Sequence, residues 1–246
     1  MLINRKRSIV LGIVTFLIGT ILLFPARVAY QWFAPDSVRL NGVDGSVWSG
    51  NVSEGLVGGV YFTNLNWTFK PFSLFVGQLS FDTSVNTTAG QISTIAGVGV
   101  TGKVSLSDFV GSLSIAAIHP AMQANRVDGT LNIQMNTLVL TNGWPTQAEG
   151  TIGIGNLVAG AIGPDPLGNF LAQITTEESG IVGLIEDTGA ILDVTGTLQL
   201  GGDRSYSLIG FVAANNDTPA LVNQNLRFLG SPDQNGQRPF RFEGSL

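Results

Sequence analysis

The sequence predicts an all-β protein: an N-terminal transmembrane helix, then an irregular antiparallel β-sandwich or curved β-sheet domain with one or two short helices. Three observations predict this. Arg5-Lys6-Arg7 precedes a 19-residue run without a charge, Ser8 to Ala26. From residue 38 onward, polar-Gly steps open stretches in which Val, Ile or Leu recurs at every second position, the mark of a half-buried strand. Apolar faces with a 3.6-residue period are scarce outside the first run.

The N-terminal run comes close to the roughly 20 apolar residues a bilayer-crossing helix needs. A signal peptide shares the basic start, but its small-x-small cleavage site is missing: Ala26 has Phe24 two places before it, Ala29 has Arg27 and Ala34 has Trp32. The expectation is an uncleaved anchor. The charge bias across the run then gives a cytoplasmic basic tail (1–7), a transmembrane helix (8–26), a juxtamembrane linker (27–37) and an exported β domain (38–246). Tyr30, Trp32 and Phe33 suit the outer interface or loop packing equally.

Five polar-Gly steps set the expected strand starts: Gly45, Gly102, Gly129, Gly150 and Gly196. They stand 57, 27, 21 and 46 residues apart, which excludes a strict repeat array. Trp48 and Trp67 lie among alternating apolar residues and read as core aromatics. Lys70-Pro71 ends the strand that holds Trp67, since proline removes a ladder donor. Short helices are expected over Ser107 to Ile118, ending before His119-Pro120, and over Pro166 to Ile174. The breaker Gly163-Pro164-Asp165-Pro166 fits a long loop within one domain better than a joint between two halves of the sheet system.

Only 12% of the 246 residues are charged, 44% are hydrophobic and 32 are Gly, so this is no disordered chain. The net charge is −5, and beyond Arg7 nine basic groups face 17 acidic ones. That balance lacks the basic stripe nucleic-acid binding requires. With no Cys and one His, cysteine nucleophiles, disulfides and multi-His metal sites are excluded. Gly97-Val98-Gly99-Val100-Thr101-Gly102 matches a dinucleotide fingerprint, but another strand pattern follows it where a helix is required. Glu177-Glu178 and Glu186-Asp187 read as solvated turn acids, and Asp233-Gln234-Asn235-Gly236 as a turn without the ligand ladder of a calcium loop. Asn51, Asn66, Asn86 and Asn216 open glycosylation sequons that matter only in a eukaryotic secretory route. No catalytic, cofactor or metal set emerges.

Several blocks in order resemble the type II secretion system protein N family. Gly45-Ser46-Val47-Trp48-Ser49-Gly50 resembles its Gly-x-x-Trp-x-Gly segment after the anchor, and Leu65-Asn66-Trp67 through Pro71 its Leu-x-Trp-x-x-x-Pro block. Arg126 to Leu131 around Gly129 and Glu149 to Ile152 around Gly150 follow in family order. Gly189 to Leu200 around Gly196, Tyr206 to Gly210, Leu226 to Gly230, Asp233 to Gly236 and Phe242 to Leu246 resemble its C-terminal end. Gly153-Ile154-Gly155 departs from the pattern, standing where a bulkier aromatic is expected.

The resemblance implies a non-enzymatic, single-pass inner-membrane component of the secretion apparatus of Gram-negative cells. Its N-terminus would be cytoplasmic, and its periplasmic β domain would contact other inner-membrane subunits during export of folded proteins. The alternative is a periplasmic lipid-binding or lipid-transfer protein that holds acyl chains in an apolar β groove; alternating strands fit both.

Overall fold

The structure, a computed structural model, describes residues 5–122, 127–160 and 163–245. Two helices, α1 (Arg5–Leu22) and α2 (Ala26–Phe33), precede thirteen strands. These are β1 (Val38–Gly45), β2 (Ser49–Val57), β3 (Val60–Phe69), β4 (Gln78–Asn86), β5 (Gln91–Gly99), β6 (Val104–Ser114) and β7 (Val127–Thr141). The rest are β8 (Trp144–Ala159), β9 (Gly168–Glu177), β10 (Gly180–Asp187), β11 (Leu192–Leu200), β12 (Ser205–Ala214) and β13 (Arg238–Ser245). Each strand pairs antiparallel with its sequence neighbours, so all thirteen form one meandering sheet. The curved-sheet expectation therefore holds and the sandwich is corrected: among the described residues no second sheet covers the first.

In such a meander the connections alternate between two ends. One end carries the β1–β2 turn, a 3₁₀ helix (Pro71–Val76) between β3 and β4, and the β5–β6 turn. It also carries α1 and the start of α2, because Pro25 bridges Ser46 and the Val47 N–H donates to the Phe24 carbonyl at 3.0 Å. The opposite end carries α3 (Ile115–Met122) and the β12–β13 connection, with α4 (Ala220–Asn225) and a second 3₁₀ helix (Leu226–Leu229).

The buried apolar residues stay on one face although the strands are irregular. Asn64, Asp108 and Asn156 have φ near +51°, a left-handed conformation that Asn and Asp tolerate better than most residues. Each lies at a slip in the ladder that adds one residue to its strand. An added residue restores the facing of the side chains beyond it, so Leu106 and Phe109, three apart, point to the same side.

The sheet curls toward that face. The Trp144 indole N–H, at the start of β8, donates to the Gly201 carbonyl after β11 at 2.9 Å, and Arg204 donates to the Asn142 carbonyl at 3.1 Å. Three strand spacings separate β8 from β11, roughly 14 Å in a flat sheet, which no indole spans. One buried cluster joins Met135, Ala148 and Ile181 within the curl. A second joins Leu167, Leu192 and Val212 to Val222 of α4 and Leu226 after it, so α4 closes one stretch of the face.

Several expectations are corrected. Ser107 to Ser114 belongs to β6, and the helix starts only at Ile115 and runs through Pro120 to Met122; Asp108, suited to a helix-opening turn, instead forms a bulge within β6. Pro166 to Ile174 is the approach to β9 and much of β9 itself, with Leu171 turned to the outer face opposite Glu186. Of the five expected strand starts, Gly102 holds and Gly129 lies two residues inside β7. Gly45 ends β1, and Gly150 and Gly196 lie inside β8 and β11. The breaker at 163–166 does lie in the loop between β8 and β9.

The 8–26 run is not one helix. Proline disfavours helix at the residue before it, and the chain breaks at Leu23–Pro25 and restarts as α2 at Ala26. Among the described residues no helix is long and apolar enough to cross a membrane. The uncharged part of α1, Ser8 to Leu22, rises only about 22 Å against a hydrocarbon core of about 30 Å.

Candidate functional site: an apolar inner face with one open edge

Cross-strand register assembles the candidate site. Phe69, Phe81, Ala96, Leu106, Leu138 and Ala148 pair successively from β3 to β8. Thr176 continues this line on β9, its hydroxyl bonding both the N–H and the carbonyl of Ala148 at 2.8 and 3.1 Å. A second line runs Ile133, Ile152, Ala172, Ile185, Gly196, Gly210 and Phe240 from β7 to β13. A Cβ on Gly210 would lie 2.5 Å from Phe240 Cζ, so the ring of Phe240 lies across that glycine and fills the space a side chain would take. Only eleven hydrophobic residues are buried among the described ones. Most of the inner face is half-buried, an apolar trough that α3 and α4 cover only in part.

The two edges of the sheet differ. Along β1 the Tyr30 hydroxyl of α2 accepts from the Leu40 N–H at 3.0 Å and donates to the Val38 carbonyl at 3.4 Å, taking up groups a partner strand would need. Nothing pairs with the outer side of β13 among the described residues. Pro239 is tolerated there because an edge strand needs fewer donors. On β13 Arg241 and Glu243 form an exposed ion pair at 2.6 Å, and Ser207 also donates to Glu243. The hydrogen bond from Arg241 holds the Glu243 carboxyl below its ordinary value, and the same bond raises Arg241.

The sequence-selected residues occupy structural positions. Trp48 and Trp67 are half-buried at the α1 end, which corrects the core assignment. Trp48 lies in the β1–β2 turn and donates its indole N–H to the Ile21 carbonyl at 2.8 Å, with its ring 4.9 Å from that of Phe69. Trp67 donates to Ser46 at 3.3 Å and lies against Gly50, where a Cβ would come within 2.5 Å of its ring. Pro71 opens the first 3₁₀ helix, Gly230 follows the second, and Gly236 closes a turn. Gly129 and Gly150 occupy β7 and β8 with φ of 141° and 146°. Arg126 and Leu246, at the ends of two motifs, lie outside the described residues, as does the side chain of His119 on α3.

The acidic groups do not converge. Glu177-Glu178 stands at the β9–β10 turn, and Asp187 accepts from the Val194 N–H at 2.9 Å. Asp233 accepts from the N–H groups of Asn235 and Gln237, both at 2.8 Å, which makes its segment a turn. Glu54 is lowered by hydrogen bonds from Asn41 and Tyr61, and Asp203 by those from Ser205. Both stand exposed in these local bonds. Among the described residues no group of three His, Cys, Asp or Glu side chains is placed to hold a metal. The outer face carries an open groove of about 720 Å³ lined by Leu184, Ile209 and Phe211. Sequence reading missed the difference between the edges, which depends on Tyr30 meeting β1 across the α2–β1 junction.

A sequence profile described as "Type II secretion system (T2SS), protein N" matches residues 36–241. The Type II secretion system protein N of Aeromonas hydrophila is 27% identical over 222 residues, 86% of each chain. Its counterpart from Vibrio cholerae serotype O1 is 27% identical over 254 aligned positions, 98% of this chain and 100% of the relative. No solved structure matches the chain. Because the profile spans far more than half of its length, the chain belongs to the type II secretion system protein N family.

Proposed function

We propose that this secretion component acts by association and not by turnover, contributing to the export of folded proteins through contacts with other inner-membrane subunits in the periplasm. The observation that carries this reading is the contrast between edges: β1 is occupied by Tyr30, while β13 is open to strand addition. The excess of acidic groups favours a partner with basic residues around its contact.

Attachment to the inner membrane, with the sheet on the periplasmic side, is part of the same proposal. Ile9, Leu11, Ile13, Phe16 and Leu17 of α1 are all exposed. A helix that is apolar and exposed along most of its length, bonded to the sheet at its last turn, is suited to lipid, not water.

The edge is tested by Arg241→Pro against Arg241→Gln. Arg241 lies two residues from Pro239 and so shares its orientation, which lets proline enter while removing an N–H from the free edge. At equal protein level, Arg241→Pro should lower secretion of a type II substrate several-fold and Arg241→Gln should not. Equal secretion by both variants would reject the edge as the contact.

The half-buried inner face favours a second reading, in which it holds acyl chains. A photoreactive residue at Phe242, 57% exposed on the inner face, should then capture radiolabelled phospholipid, while one at Leu184, 58% exposed on the outer face, should not. Absence of lipid at both positions would set this reading aside.

A further inference from the structure

We infer that two apolar tips at the α1 end of the sheet, the 3₁₀ helix Pro71–Val76 and the β5–β6 turn at Val100, dip into the surface of the lipid bilayer and form a second membrane contact beside α1. The inference rests on the reading of α1 as lipid-embedded, and the test below separates the two.

Exposure is the first support. Phe72 is 81% exposed, Phe75 88% and Val100 91%, with Leu74 and Val76 also exposed. Phe72 and Phe75 stack with ring centroids 6.4 Å apart. Single exposed apolar residues are ordinary, but five gathered on two adjacent tips mark an interaction surface.

Position supplies the occupant. By the alternation of the meander, both tips lie at the end joined to α1 through the Pro25–Ser46 bridge and the Trp48–Ile21 hydrogen bond. Whatever embeds α1 therefore lies next to the tips. Charge agrees: neither tip contains an ionisable residue, yet Lys70 precedes one and Lys103 follows the other. In a region beyond Arg7 with only nine basic groups, two bracket the apolar residues, as suits anionic headgroups around an inserted apolar centre.

The backbone of the tips is also fit for a dry setting. Ser73 Oγ donates to the Lys70 carbonyl at 2.7 Å and accepts from the Ser80 N–H at 3.1 Å. The Gly77 N–H donates back to Leu74 at 3.0 Å, and the Val100 N–H donates to the Gly77 carbonyl at 3.3 Å, tying one tip to the other. Backbone groups bonded internally do not have to be stripped of water on insertion.

The chain contains no Cys, so single-cysteine variants need no further change. Full-length Phe75→Cys, Val100→Cys, Ile13→Cys and Phe228→Cys are labelled with an environment-sensitive nitrobenzoxadiazole dye and reconstituted into phosphatidylethanolamine–phosphatidylglycerol vesicles. Phe228, 90% exposed at the opposite end of the sheet, is the control for exposure alone. Labels at 75 and 100 should show blue-shifted emission and lose intensity with spin-labelled lipids, as the label at 13 does, while the label at 228 stays aqueous. Aqueous labels at 75 and 100 with a lipid-buried label at 13 would overturn this contact alone. An aqueous label at 13 would overturn the embedding of α1 on which it rests.

Discussion

The indole N–H of Trp48 donates to the carbonyl of Ile21 at 2.8 Å, so the last turn of α1 is bonded directly to the β1–β2 turn. Twenty-seven residues of sequence separate the two, and with the Val47–Phe24 bond they make α1 and the sheet one joined unit at that end. Trp48→Phe keeps an aromatic ring against Phe69 and removes only the donor. It should cost about 1 kcal/mol and speed proteolytic cleavage between Leu23 and Pro25 in detergent-solubilised protein. Unchanged cleavage would show that the bond does not hold the junction.

Gly150 has φ of 146° inside β8, and a Cβ there would collide with the carbonyl oxygen of Gln134 on β7. Both backbone conformation and space exclude a side chain. Gly150→Ala should destabilise the sheet by about 2 kcal/mol or more, measured by urea unfolding, with faster amide exchange along β7 and β8. Gly143→Ala is the contrast: its φ of 75° strains the turn, but nothing lies within 4 Å of the added carbon, so the effect should be smaller.

Trp144→Phe tests the curl. Losing the bond to the Gly201 carbonyl should cost about 1 kcal/mol and raise amide exchange at the β11–β12 turn, far along the chain from the substitution. Exchange raised only around residue 144 would argue that the turns are not coupled.

Glu243 gives a prediction in pH. Its carboxyl is held below the ordinary 4.5 by the bond from Arg241, so the folded state binds a proton less readily than the unfolded chain. The pair's contribution is present above the unfolded value and is lost as pH falls through the lower folded value. Carboxyl NMR should place the Glu243 midpoint below 4.5, and Arg241→Gln should move it upward. A midpoint indifferent to residue 241 would rule out the pair in solution.

The strands were legible in sequence where alternation is regular, as along Thr197, Leu198, Gln199 and Leu200 of β11. They are misread where a bulge intervenes: Asp108 suits a helix-opening turn, but with φ of 51° it is the extra residue of a bulge inside β6. Gly196 and Gly150 announced a special position, but glycine alone does not distinguish the start of a strand from a place where a ring or carbonyl crosses it. The apolar inner face followed from alternation. Its closure onto itself did not, because that depends on Trp144 reaching Gly201 across 57 residues. The family resemblance was readable from Gly45, Trp48, Gly50, Trp67 and Pro71 in order, and the profile match over residues 36–241 agrees with it.

The central claim, association through the open edge, is tested most directly by site-specific photo-cross-linking in cells that express the whole secretion apparatus. A photoreactive residue at Arg241 on β13 should yield a covalent adduct with another subunit of that apparatus, and the same probe at Arg39 on the Tyr30-occupied edge of β1 should not. Equal capture at both edges, or no secretion subunit captured at Arg241, would contradict it.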